Sequence, residues 1–259
     1  MILTNALQKE LNNRNLSFIQ ATDVEGFIDA ADEVSIPSWP EFMMQDTVAN
    51  THWYPMNKQF PEFQFALLET GSQKWIAVGN SIPVSFDGAL EDLPDRGWDW
   101  ALESGVKAEN PANLLCALAI QILPEYRGSR LSSLMIRIMR EIGLSQGLDK
   151  LIAPVRPNRK SVYPLTPMNV YIEWLKKGRP FDPWLRVHHR LGARIIKVCP
   201  EAMYISGSIE SWQKWTGLTF LTSGDYIVPG ALSPVQIDVE SDRGEYVEAN
   251  VWMIHDLNA

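Results

Sequence analysis

An α/β fold, with a mixed, mainly antiparallel sheet flanked by helices and a C-terminal β extension, is what three features of this 259-residue chain predict. The apolar run LLCALAIQIL (residues 114–123), the amphipathic stretch that follows it and the second apolar run KLIAPV (150–155) make a strand–helix–strand crossover with parallel pairing. Two β-rich runs, 63–69 and 74–78, are separated by Thr70, Gly71 and Ser72, a turn signal that makes them an antiparallel hairpin. Further strand-like runs occur at 195–199, at 203–206 and in the tail from Tyr226. With 46% hydrophobic residues the chain can fill one large core, so we expect a single domain over 1–259, its core at about 16–206 and its extension at about 207–259.

In chain order, residues 16–21 read as a strand, and Thr22 with Glu25 forms a capping-box pattern that predicts a helix to about Val34. The segment IPSWPEF, with Pro37 and Pro40, cannot continue a helix and reads as a loop packed by its aromatic residues. The hairpin's second strand is expected to extend past Gly79 into IPVSF, and GWDWALESGV can hold a short helix. Ser129 then opens a helix whose apolar positions Leu131, Leu134, Met135, Ile138 and Ile142 fall on one face, ending near Gly147. Thr166-Pro167 and Asp182-Pro183 each place a capping side chain before a proline, which predicts two more helix starts; Gly192 closes the second.

Charge is unevenly distributed along the chain. The formal net charge is −8, yet residues 127–197 carry 15 Lys and Arg against 4 Asp and Glu, while the remainder carries 8 against 27. A protein that coats nucleic acid is basic as a whole domain; this pattern instead concentrates cations around one small polyanion. No apolar run approaches the roughly 18 residues of a membrane span, and no basic n-region precedes an apolar stretch at the start. The two cysteines, Cys116 and Cys199, lie in strand-like apolar runs as reduced, buried thiols do, and a cytoplasmic protein is expected. Zinc-ligand spacing, a Walker loop and a nucleophile elbow are all missing.

The chemistry concentrates at LPEYRGSRLSSLM, residues 123–135. A helix N-terminus carries free N–H groups and a partial positive charge, so Arg127 and Arg130 placed there call for a bound anion, phosphate first. The competing reading is a structural crossover in which Arg130 pairs with a carboxylate such as Glu125. The motif resembles the acyl-CoA pyrophosphate loop of the GNAT superfamily of N-acetyltransferases, P-x-Y-R-G-x-G-x-G/A before a helix. That resemblance, covering about 16–206, implies that Arg127, Gly128, Ser129, Arg130, Leu131 and Ser132 meet the pyrophosphate of acetyl-CoA or a related acyl-CoA. It also implies that the backbone of Ile122 and Leu123 follows the pantetheine arm. Arg130 replaces a motif glycine, although an arginine can bind phosphate directly.

On the stretch after Pro183, Trp184, Val187, His188 and Leu191 share one helix face, so His188 points inward, either as a core histidine or as a catalyst. Aligning Leu191-Gly192 with the leucine-glycine pair of the GNAT helix puts His188 where many members carry the tyrosine that protonates the departing thiolate. VRPNRKSVYPL, GRPFDPWLRVHHRLGARI and YVEANVWMIH also resemble the GNAT-like loading domains of polyketide synthases, which decarboxylate malonyl-type thioesters with a threonine and a histidine. Here the histidine is His188, and the threonine position is held by Asn158, which can hydrogen-bond but lacks the hydroxyl. The resemblance therefore implies an acyltransferase acting on an unknown small acceptor, with malonyl-CoA decarboxylation and silent coenzyme A binding as alternatives.

Overall fold

The computed structural model describes residues 3–258. Its α-helices are α1 (Asn5–Asn13), α2 (Phe27–Ser35), α3 (Thr47–Gln59), α4 (Gly97–Val106), α5 (Leu131–Ser145), α6 (Met168–Tyr171), α7 (Pro183–Arg190) and α8 (Ile209–Thr216). The strands are β1 (Leu16–Gln20), β2 (Gln64–Glu69), β3 (Trp75–Val84), β4 (Leu114–Ile122), β5 (Lys150–Val155), β6 (Leu175–Lys176), β7 (Arg179–Pro180), β8 (Arg194–Gly207), β9 (Gly224–Tyr226), β10 (Val235–Asp238) and β11 (Arg243–Asp256). Nine of them form one sheet in the order β1-β2-β3-β4-β5-β11-β10-β9, with β8 on the other edge of β11. Among the described strands only β4 and β5 pair in parallel, joined by the crossover helix α5. No described helix is long and apolar enough to cross a membrane.

Strand alternation divides the core between two faces. Leu115, Leu151, Phe65 and Leu67 meet α1 and α5, and Ala153, Val155, Val251 and Met253 continue that face beneath α7. On the opposite face, Val78, Ile82, Leu118, Ile152 and Trp252 pack under α2, α3, α4 and α8. Cys116 and Cys199 are free and buried there.

Four details depart from the sequence expectations. The helix expected from Thr22 begins at Phe27, because Gln20 and Asp23 form the reciprocal box around a single 3₁₀ turn and Gly26, at φ +73°, caps the helix instead. The helix expected from Ser129 begins at Leu131. Thr166 makes no cap, and the helix after it is one turn. The runs 195–199 and 203–206 belong to one strand, β8, which absorbs Pro200 in an irregularity opposite the step from Glu248 to Asn250.

Where β5 ends, β11 runs on, and Arg156 closes the gap. Its guanidinium grips the fully buried Glu248 carboxylate at 2.9 and 3.0 Å and donates to the Gly230 carbonyl at 2.7 Å, while Tyr246 donates to the same carboxylate at 2.8 Å. Arg156→Ala leaves that carboxylate buried without its cation, and urea unfolding is expected to show a loss of about 3–5 kcal/mol.

Candidate active site

β4 and β5 share only two ladder pairs, Leu115↔Leu151 and Cys116↔Ile152, after which they separate. The split has a local cause in β4. Asn80 faces Ala119 but Ser81 faces Ala117, so Leu118 is an extra residue, a bulge. Trp98 Nε1 donates to the Leu118 carbonyl at 2.9 Å, and Trp53 stacks on Trp98 at 6.0 Å, so α3 and α4 brace the bulge. The result is an unpaired edge on the β4 residues beyond Cys116, facing Ala153 to Val155 across the break in the sheet.

At the mouth of this break the chain turns from β4 into α5. Gly128 and Arg130 adopt positive φ, +82° and +66°, and the turn is closed by Arg127 Nε donating to the Ile122 carbonyl at 3.1 Å and Ser129 Oγ to the Tyr126 carbonyl. Leu123 N–H is taken by the Ile76 carbonyl at 3.0 Å, which holds the end of β4 against β3. The N–H groups of Gly128, Ser129, Arg130, Leu131, Ser132 and Ser133 meet no acceptor among the described residues, which leaves a row of free donors at a helix N-terminus, a setting that binds anions. Glu125 pairs with Lys74 at 2.8 Å, and no ion pair engages Arg127 or Arg130 among the described residues.

α7 starts at the same end of the sheet. Asp182, 1% exposed, accepts from the N–H groups of Trp184 and Leu185 at 2.8 and 3.3 Å, as its capping role predicts. It also takes the N–H groups of Asn158 and Arg159 and the Tyr171 hydroxyl, tying the segment after β5 to α6 and α7. The β6–β7 hairpin leads into this cap. Exposed Arg159, Lys176, Lys177 and Arg179 therefore lie at the same end of the sheet as Arg127 and Arg130, six of the fifteen cations in residues 127–197.

Asn158 is exposed at this end of the sheet. His188 lies six residues along α7 from its cap, roughly 9 Å lower at 1.5 Å per residue, and no contact joins the two. His188 is 2% exposed; its Nδ1 sits 2.9 Å from Nε2 of His255 at the end of β11, and the Trp184 ring meets it edge-on at 4.5 Å. Burial, and secondarily the neighbouring His255 ring, hold the His188 pKa well below the usual imidazole value, so the ring is neutral at pH 7. Burial and then Arg140 push His255 down to about 4. His188 Nε2 is buried without a partner.

The opposite face holds polar groups that local sequence patterns did not single out. Asp46 caps α3 through Ala49 N–H at 2.7 Å, and Asp99 of α4 interacts with it; burial and then the Asp46 charge push Asp99 up to about 8. Asn80 on β3 and Gln121 on β4 are diagonal neighbours on this face, 2% and 5% exposed. Asn80 Oδ1 and Gln121 Oε1 are buried without a partner, whereas the Asp46 and Asp99 carboxyls meet each other beside the Tyr204 backbone of β8.

A parallel strand pair that comes apart beside a free-donor helix N-terminus is an arrangement that can take an extended ligand carrying a phosphate-type anion. A curated relative, the arginine N-acetyltransferase avaD of Aspergillus versicolor, is 31% identical over 251 residues, spanning 85% of this chain and 86% of that protein. The chain belongs to the GNAT family of N-acetyltransferases and takes acetyl-CoA or a related acyl-CoA as cosubstrate. The fold matches the loading GNATL domain of CurA from Lyngbya majuscula at a TM-score of 0.59, with 19% identity, 94% of this chain and 98% of that one covered. It also matches the GphF GNAT-like decarboxylase in complex with isobutyryl-CoA at a TM-score of 0.56, with 15% identity over 93% and 98% of the two chains. No family model matches the sequence.

Arg130 pays for its left-handed backbone with about 1 kcal/mol. Arg130→Gly is therefore expected to raise the unfolding free energy by up to that amount while weakening coenzyme A in calorimetry; a gain in both would remove Arg130 from phosphate binding. For the buried acids, an unfolded Asp titrates near ~3.9, so between there and about 8 the folded protein binds the Asp99 proton more tightly. Stability contributed by the protonated pair is lost as pH rises through this window, and Asp99→Asn is expected to flatten that slope and to be the more stable form at pH 8 in chemical denaturation.

Proposed function

We propose that the chain transfers an acetyl group from acetyl-CoA to a nitrogen of arginine or an arginine-derived molecule. The observation that carries this reading is the relationship to the arginine N-acetyltransferase over 85% of the chain. The buried amide oxygens of Asn80 and Gln121 on the α2–α4 face support it, because a guanidinium or ammonium offers donors and no acceptor and so complements oxygens of this kind. Carboxyls at Asp46 and Asp99 that are costly to ionise alone gain a partner when a cation enters.

In this reading the row of free donors from Gly128 to Ser133, with Arg127 and Arg130, holds the pyrophosphate, and the backbone of Ile122 and Leu123 runs beside the pantetheine arm. N–H groups on the unpaired edge of β4 hold the thioester carbonyl. The neutral acceptor nitrogen attacks that carbon, a C–N bond forms and the carbonyl π pair moves to oxygen, where the strand N–H groups stabilise it. His188 Nε2 takes the proton from nitrogen; the C=O bond then re-forms, the C–S bond breaks and the sulfur takes that proton from His188. One ring nitrogen can serve both steps because the entering nitrogen and leaving sulfur are on the same carbon. Asn158, at the mouth, would contact the acyl-CoA by hydrogen bonding without entering the proton path.

Mass spectrometry of reactions with arginine, Nα-blocked arginine, lysine and citrulline tests the acceptor. Acetylated arginine with citrulline inert is expected, and the blocked substrate identifies which nitrogen reacts. Equal turnover of citrulline and arginine would rule out recognition of the cation. His188→Ala is expected to lower kcat by on the order of 10²-fold or more with coenzyme A affinity unchanged; undiminished turnover would remove His188 from the mechanism.

A further inference from the structure

Sequence spacing singles out His188 but says nothing of His255, which lies 67 residues away. The fold joins them because β11 inserts between β5 and β8, placing His255 opposite Leu151 on β5 while α7 lies over the same face. Three groups face His255: His188 from α7, Arg140 from α5, and the Leu191 carbonyl just past α7, which accepts from Arg140 Nη1 at 3.1 Å. Each imidazole has one nitrogen in the shared 2.9 Å contact and one nitrogen buried without a formal hydrogen bond. A single proton placement therefore orders the whole chain.

We propose that His255 is a positioning residue that holds His188 as the Nδ1–H tautomer, leaving the Nε2 lone pair for the proton in transit between acceptor nitrogen and coenzyme sulfur. The proposal rests on the acyl-transfer role given to His188 above. The Leu191 carbonyl faces His255 and favours the charged, N–H-rich form of its ring. With a proton on His255 Nδ1, its Nε2 is an acceptor, and the 2.9 Å contact must be filled by His188 Nδ1–H. The opposite placement would put a hydrogen on His188 Nε2 and leave no lone pair there for a proton in transit. When His188 carries the transferred proton, its Nδ1–H still donates to a neutral acceptor, so the cation is stabilised at the moment it exists. The arrangement follows the logic of a catalytic triad's third member, with a second imidazole where a carboxylate would otherwise orient the base.

Long-range proton–nitrogen correlation spectra of the full-length protein, with labelled histidine, read the tautomers without any substitution. Protonated-type Nδ1 with lone-pair-type Nε2 on His188 is expected; the Nε2–H tautomer would overturn the proposal. His255→Phe removes the acceptor and is expected to lower kcat on the order of 10²-fold, with the KM for acetyl-CoA changed less than about twofold. His255→Gln presents an amide oxygen near the same place and should recover most of kcat and the tautomer. A merely structural His255 predicts instead that Gln and Phe fail alike and that activity follows the melting temperature. Normal kcat in His255→Phe beside an inactive His188→Ala would overturn this inference alone, whereas an active His188→Ala would overturn the catalytic reading with it.

Discussion

The separation of β4 from β5 is the constraint on which the rest of the site depends. A parallel pair in the middle of a sheet is normally closed along its length, since each unpaired backbone group in an apolar interior costs free energy. Here the pairing stops after Ile152 for reasons on both strands. Leu118 adds a residue to β4 and turns its carbonyl to the Trp98 indole. Pro154, one step further along β5, has no N–H to give and keeps its place in the strand by pairing only with Trp252 on β11. The missing ladder leaves β4 with a free edge, and that edge is where an extended, amide-containing ligand can do what a strand would have done.

The same geometry gathers the charges. A crossover helix runs antiparallel to the strands it joins, so α5 must begin where β4 ends. α7 begins at the same end because its cap, Asp182, is bonded to the N–H groups that follow β5. Two helix N-termini and six exposed cations thus lie at one end of the sheet although they span residues 127–183. The acidic remainder of the chain sets this end apart as the one rich in exposed cations among the described residues.

Parts of this were legible in the sequence because they are local. The 114–155 crossover follows from periodicity, α4 falls within the segment picked for it, and Asp182 caps where Asp-Pro predicts. What was not legible depends on distant pairing. β8 crosses Pro200 because β11 on its flank tolerates an irregularity there, and α3 carries Pro55 in its interior, which pattern rules count against a helix. The tail looked strand-like, but nothing in YVEANVWMIH says that it will lie beside β5, and without that placement His255 cannot be set next to His188. Asp99 was visible inside a helical segment; its partner is a cap 53 residues earlier, and only tertiary packing joins them. Pro154 was the one local signal left unused, a proline inside an otherwise ideal buried strand.

The two faces of the sheet differ in the polar atoms they bury. On the α5–α7 side the buried atoms without partners are imidazole nitrogens, held neutral by their surroundings. On the α2–α4 side they include the amide oxygens of Asn80 and Gln121, and the Asp46 and Asp99 carboxyls are buried against each other. In the proposed reading a phosphorylated thioester is held by the donors and cations at the mouth, and the acceptor nitrogen reaches its carbonyl at the unpaired edge of β4. The gap that breaks the sheet is, in that reading, where the two reactants meet.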